Sequence, residues 1–325
     1  MDEIKCKEYL VKRISPKENY DTLLKFPRYI EIETVNICNA RCPMCTITDW
    51  NRDAKPMTDE LFAKIASELI NHTSEIKRVS LYRDGEPLLD SKLAERVAIL
   101  KKGGIKTVAI STNVSLLTES KSRDLLNAGI DLVIMSIDSL KKEIYENIRK
   151  GLRFEDVLNN ALRFIELRNK LRPETKIWIR MIRQESNNNE WTEYHKYWSH
   201  KLSDNDRVYY HYIFNWGGQL NGFKSVSKSY EPNLPCVSLW SLLVIFSNGD
   251  VPLCNVDYKK KYPTGSILSN TIEELWQSSL MNQKREHHLK GEKASIDICK
   301  SCNVWDEPKD KESISSEYAD NIEID

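Results

Sequence analysis

The 325-residue chain reads as an α/β protein: a partial (β/α)6 barrel followed by a small β-hairpin and helix subdomain. Three observations predict this. Six strand-like segments alternate with helical ones between Tyr29 and Phe214, helix caps and stops punctuate them, and the composition turns polar after Gly218, ahead of the hairpin signal Asn248-Gly249. Strands alternating with helices make a parallel sheet with right-handed crossovers, and six units are too few for a closed eightfold barrel.

Each element has its own signal. Residues 1–27 are charged and without a clear period, and read as an N-terminal extension. Tyr29 to Val35 alternates like a strand. Thr58 is a helix cap with Asp59 and Glu60 in the first turn, for a helix reaching about Asn71. Arg78–Tyr82 is a strand, Ser91–Lys102 a helix closed by Gly103-Gly104, Lys106–Ser111 a strand, and Thr118–Ala128 a helix stopped by Gly129. Asp131–Ile137, Lys176–Ile182 and Arg207–Phe214 complete the strands, with helices over Phe154–Arg172 and Glu190–His200. Residues 28–218 thus form the barrel. Residues 219–235, with Pro232 and Pro235, read as a linker opening a rear region that extends to 305. There Ser241–Ser247 and Val251–Leu253 flank the hairpin turn, and Thr271 caps a short helix to Leu280. An acidic tail spans 306–325.

Charge and hydropathy exclude several classes. Lys+Arg and Asp+Glu both count 48, leaving no electrostatic footprint for nucleic acid or an anionic membrane. No apolar run approaches the ~20 residues that span a bilayer, and Met1–Lys17 is too charged for a signal peptide. A cytoplasmic protein is expected.

Seven of the eight cysteines fall in two groups: Cys38, Cys42 and Cys45, then Cys236, Cys254, Cys299 and Cys302. In a reducing compartment such spacing points to metal or redox chemistry. The front group, C-x3-C-x2-C after a strand, can hold three irons of a [4Fe–4S] cube and leave the fourth open to a small molecule. The alternative is zinc, which prefers four ligands; no fourth Cys or His lies near in sequence.

This strand and loop resemble the radical S-adenosylmethionine (SAM) superfamily. The resemblance implies that the open iron chelates the amino and carboxylate groups of SAM, whose reductive cleavage yields a 5′-deoxyadenosyl radical. Met44 stands where the family often has an aromatic residue against adenine. Asp84-Gly85-Glu86-Pro87 resembles the family's GGEP segment, with Asp84 in place of the first glycine, so Gly85 and Glu86 are implied contacts of the SAM amino group. Ser111 and Asn113 end the third strand, Ser136 and Asp138 the fourth, where small polar groups line the ligand crevice. The family places SAM's carboxylate and ribose there, and Arg149 matches an arginine that often completes the carboxylate site.

The rear four cysteines would allow a structural zinc held by four thiolates, by count alone. Ser247–Cys254, Gly265–Leu268 and Ile272–Trp276 resemble the auxiliary-cluster region of radical SAM enzymes, SPASM in its two-cluster form and twitch in its one-cluster form. With four cysteines left, the resemblance implies one auxiliary [4Fe–4S] cluster, fully ligated and suited to electron transfer.

The rear spacing is like that of twitch-type dehydrogenases that oxidise an alcohol of an aminocyclitol to a ketone, as in the butirosin pathway. Carried over, the radical takes the carbinol hydrogen, a base takes the hydroxyl proton, and the auxiliary cluster accepts the remaining electron. A small carbohydrate or cyclitol substrate and a flavodoxin- or ferredoxin-type electron donor follow. Arg180, Tyr210 and His211 are the candidate catalytic residues, with Tyr212 and Asn215 beside them. The rival is a radical SAM peptide-modifying enzyme, an epimerase or cross-linking maturase; an epimerase would have only Cys6 left to quench its substrate radical. A zinc-stapled binding protein without catalysis is a third reading, and it leaves the front cysteines one ligand short.

Overall fold

The computed structural model describes residues 2–49, 52–53, 55–220 and 234–302. Most of the expected linker and the acidic tail lie outside the described residues. All six expected strands form: β1 Tyr29–Ile32, β2 Arg78–Ser80, β3 Val108–Thr112, β4 Leu132–Ser136, β5 Lys176–Arg183 and β6 Arg207–Tyr212. They pair in parallel, and a seventh strand, β7 Leu242–Ile245, joins them in the order β6-β5-β4-β3-β2-β1-β7. Tyr29 of β1 stands opposite Arg78 on one side and Leu242 on the other.

The rear hairpin forms, with a different pairing from the one expected. The Asn248-Gly249 turn is present, Gly249 having a φ of +88° and donating its N–H to Phe246 O. The strand before it pairs with β1, because Leu242–Ile245 is apolar and buried on both faces, as parallel strands are. The strand after it, β8 Asp250–Pro252, pairs antiparallel with β9 Pro263–Ser266.

Local capping explains where most helices begin and end. Thr58 accepts from Leu61 N ahead of the helix Asp59–Ile70, Thr118 caps Glu119–Ala128, and Gly129 closes the latter at a φ of +91°. The single rear helix expected from Thr271 is two, Ile272–Trp276 and Ser279–Leu289, since Ser278 caps a fresh start. The N-terminal segment is a second correction. It holds the helices Glu3–Ile14 and Tyr20–Lys25, the first capped by Asp2. Cys6, Leu10 and Ile14 recur every four residues and are buried, a stripe too narrow to stand out among the charges around it.

Strand parity sorts the barrel into two faces. Ile30, Val79, Ile110, Val133, Ile179 and Val208 join the helices in the main core. Each such fully buried side chain contributes about 1.5–3 kcal/mol. Alternate residues Ala109, Leu132, Ile134, Trp178 and Tyr209 cluster with Tyr82 on the opposite face. Further along the strands that face turns polar, at Ser111, Ser136, Arg180 and His211, where a cavity opens. Among the described residues no helix is long and apolar enough to cross a membrane.

Candidate active site

The cavity lies at the carboxyl ends of the strands and measures about 250 Å³. Cys38, Cys42, Met44 and Cys45 line one wall. Their loop is seated by the segment after β2: Glu86 N donates to Ile37 O at 2.9 Å. A Cβ added at Gly85 would stand 2.2 Å from Val35 O and 2.9 Å from Ile37 O, so only glycine lets the two backbones approach this closely.

The surroundings of the three sulfurs fit a metal–sulfur group. Ala40 N lies 3.4 Å and Asn113 Nδ2 3.9 Å from Cys38 Sγ, and Arg149 Nη1 lies 3.8 Å from Cys42 Sγ. Burial pushes the Cys45 thiol up to about 12 and raises Cys38 as well. Buried thiols of this kind become thiolates when a metal takes the proton's place, and soft sulfur ligands suit iron–sulfur centres. Among the described residues no three His, Cys, Asp or Glu donors are drawn around a point that would hold a single ion. The three front cysteines instead share the lining of the cavity.

Facing this loop are most of the residues singled out from the sequence. Glu86 is buried; burial raises its carboxyl, while Asn113 N (2.8 Å), Thr112 Oγ1 (2.7 Å) and Leu88 N (3.1 Å) donate to it and oppose the rise. Asn113 Nδ2 also donates to Asn39 Oδ1 at 2.9 Å, bracing the cysteine loop against β3. Arg180 Nη2 donates to Ser111 Oγ (3.1 Å) and Ser136 Oγ (2.8 Å), fixing both hydroxyls at the cavity mouth. Arg149 Nε donates to Asp138 Oδ2 at 2.5 Å. Burial opposes the Arg149 charge, but the Asp138 carboxylate and Cys42 outweigh it and keep the guanidinium protonated.

Four predicted residues do not line the cavity. Asp138 is fully buried behind Arg149, where it also accepts from Ile182 N at 2.7 Å; it orients the arginine and does not face the ligand space. Tyr210 points to the helix side of β6, its ring 4.7 Å from that of Trp191. His211, one residue on, has the opposite parity and faces the cavity. Tyr212 and Asn215 are likewise absent from the lining, and Asn215 Nδ2 donates to Ser301 O at 2.7 Å.

Sequence reasoning missed Glu31, Arg83 and Trp216, all of which line the cavity, and the partners of Asp84. A charged pair at the end of a parallel strand, Arg83-Asp84, was the available signal. Trp216 is held at a φ of +52°, followed by Gly217 at +68° and Gly218 at +75°, and its Nε1 donates to Met44 O at 3.1 Å. A bulky residue in the left-handed region marks a constrained, often functional, corner.

The rear cysteines come together from distant elements. Burial raises the Cys254 thiol well above its ordinary value, and Cys299, Asp257 and Cys236 add to the rise. Cys299 is raised by burial, then by Cys236 and Cys302. Asp257 shapes the loop after Cys254 by accepting from Lys261 N (2.7 Å) and Tyr262 N (3.0 Å), and His288 Nδ1 accepts from Cys236 N at 3.1 Å. None of the eight cysteines is in a disulfide. Two of the four thiols are thus raised by burial and by their cysteine neighbours, and four cysteines are by count enough to ligate a cluster.

Comparison with known proteins agrees with this geometry. The model of the radical SAM superfamily matches residues 32–185, and that of SPASM, an iron-sulfur cluster-binding domain, matches residues 236–303. A tungsten-containing aldehyde ferredoxin oxidoreductase cofactor-modifying protein of Pyrococcus furiosus is 34% identical over 113 residues, 35% of this chain and 31% of that protein. The chain thus spans about a third of the length of the curated relatives it matches first. The S-adenosyl-L-methionine-dependent 2-deoxy-scyllo-inosamine dehydrogenase of Niallia circulans is 23% identical, over 84% of this chain and 92% of its own length. Two solved structures share the fold. BtrN in complex with AdoMet and 2-DOIA has a TM-score of 0.59 at 21% identity, covering 86% of this chain and 94% of that one. Streptococcus suis SuiB bound to precursor peptide SuiA has a TM-score of 0.63 at 16% identity, covering 90% and 76%. The two matched domains imply S-adenosylmethionine and two [4Fe–4S] clusters as cofactors. The chain thus carries a radical SAM superfamily domain over residues 32–185 and a SPASM iron-sulfur cluster-binding domain over residues 236–303.

Proposed function

We propose that the protein dehydrogenates an alcohol carbon of a small polyhydroxylated ring, a sugar or aminocyclitol. The observation that carries this reading is the division of labour between the cysteine groups. Three line the cavity, while the rear four, enough by count for a full ligand set, do not. Such an arrangement suits a site that generates a radical beside one that takes up an electron. The likeness to the Niallia circulans dehydrogenase supports it, since that match runs through both domains.

Cys38, Cys42 and Cys45 would hold the front cluster, and Cys236, Cys254, Cys299 and Cys302 the rear one. Met44, Gly85, Glu86, Ser111, Asn113, Ser136 and Arg149 form the half of the cavity assigned to SAM. When bound, SAM and the front cluster supply a hydrogen-abstracting carbon radical, and the rear cluster supplies an electron acceptor. Turning an alcohol into a ketone removes a carbinol hydrogen atom, a hydroxyl proton and one electron. The proton is the chain's own task. His211 faces the cavity and imidazole suits a general base near neutral pH, so His211 is assigned that role. Arg180 holds Ser111 and Ser136 in place. The reductant assigned to the front cluster is a small flavodoxin- or ferredoxin-type protein.

The fold shared with peptide-bound SuiB keeps peptide modification as the second reading. Epimerisation with a thiol quench is disfavoured, because Cys6 is buried among the N-terminal helix contacts and does not line the cavity. The test is anaerobic turnover of the cluster-loaded, dithionite-reduced protein with SAM and either 2-deoxy-scyllo-inosamine and related polyols or a panel of peptides. A ketone formed in step with 5′-deoxyadenosine supports the proposal. Modified peptide with no ketone favours the second reading, and zinc in place of iron sinks both.

A further inference from the structure

Arg83 and Asp84 stand at the end of β2 between the two loops that carry cysteines. Asp84 is buried, and its Oδ1 accepts from Thr46 Oγ1 at 2.8 Å and from Arg83 Nη1 at 3.2 Å. Its Oδ2 accepts from Arg52 Nη2 at 3.1 Å, and Arg52 grips Glu33 through two further bonds of 2.8 Å. Thr46 directly follows Cys45. Arg83 carries the contact onward: Nη2 donates to the backbone carbonyl of Asn255, which directly follows Cys254, and Nε lies 3.5 Å from Glu31 Oε2. A second strut runs alongside. The Trp216 ring lies 5.7 Å from the Arg83 guanidinium and 6.1 Å from the Tyr258 ring, while its N–H holds Met44 O. Tyr258 OH in turn donates to Asp49 Oδ2 at 2.5 Å. The glycine that the family resemblance puts at position 84 could make none of the carboxylate contacts.

We propose that Arg83 and Asp84 are a positioning pair that couples the two cysteine loops, so that a change of charge at one cluster is felt at the other. The side chains of this network are largely withdrawn from water, where charges act more strongly and bonded groups move as a unit. The inference rests on the assignment of one cluster to each loop.

The test is a redox titration, followed by electron paramagnetic resonance, of protein holding both clusters. Asp84→Asn keeps the shape and removes one negative charge beside the front loop, leaving Arg52 and Arg83 less compensated. Reduction there becomes easier: the ratio of reduced to oxidised front cluster at a fixed potential should rise about tenfold, a midpoint shift of roughly +59 mV. Arg83→Lys keeps the charge and gives up the fork that reaches both Asp84 and Asn255, so the rear ratio should change several-fold. The double variant should shift each midpoint by less than the sum of the singles. Midpoints of both clusters within twofold of the parent ratio in the two single variants overturn the coupling. If Asp84→Asn does not fold, Arg83→Lys decides alone, and an unmoved rear midpoint overturns it. Iron content separates the failures: protein lacking either cluster refutes the cluster assignment and this proposal with it, whereas loaded protein with unmoved midpoints refutes only the coupling.

Discussion

The two cysteine groups solve opposite problems. The front three sit on one loop after β1, line the cavity, and receive N–H groups on their sulfurs from Ala40, Asn113 and Arg149. The rear four are gathered from Cys236 to Cys302, and only neighbours such as Ser238 and Asn255 reach the cavity. A local set one ligand short leaves a place for something from outside. A dispersed set of four, enough by count to close a cluster, needs none.

That contrast can be broken or sharpened by experiment. The largest effect expected is from Cys42→Ala, which should drop 5′-deoxyadenosine formation below detection and cut bound iron from about eight to about four atoms per chain. Cys299→Ala should give the same loss of iron by elemental analysis yet keep 5′-deoxyadenosine formation while ketone is lost; equal loss of both products would break the comparison. Next comes His211→Gln, with ketone formation falling about a hundredfold or more in a product assay. Tyr210→Phe, on the other parity of β6, should change it less than twofold. Glu86→Gln should weaken SAM binding by about tenfold to a hundredfold in calorimetric titration, as expected when a buried charged hydrogen-bond partner is lost.

How much of this was legible follows from how local each signal is. The six barrel strands announced themselves by period and by neighbours such as Thr58, Thr118 and Gly129, all within a few residues. The N-terminal helix did not, because its stripe of Cys6, Leu10 and Ile14 is one residue wide. β7 read as half of a hairpin because the turn signal at Asn248-Gly249 is local, whereas its pairing with β1 joins residues more than two hundred positions apart. Among site residues, motif positions such as Gly85, Glu86 and Asn113 reach the cavity through their place at strand ends. Tyr210 and His211 could not be told apart until strand parity was known, since a shift of one residue turns a side chain from cavity to core. The bond from Arg149 to Asp138 joins residues eleven positions apart on different elements, and neither it nor the reach of Arg83 to Asn255 has a counterpart in spacing.

The place of β7 has a consequence for dissection of the chain. The strand that bears the front cysteine loop, β1, lies inside the sheet only because Leu242–Ile245 covers its outer side. A chain cut after Gly218 would therefore bare the backbone of Tyr29–Ile32 as a raw apolar edge, inviting strand exchange between molecules. What looks in the sequence like a front module that could be borrowed for another protein is, in its hydrogen bonding, finished by its own rear half.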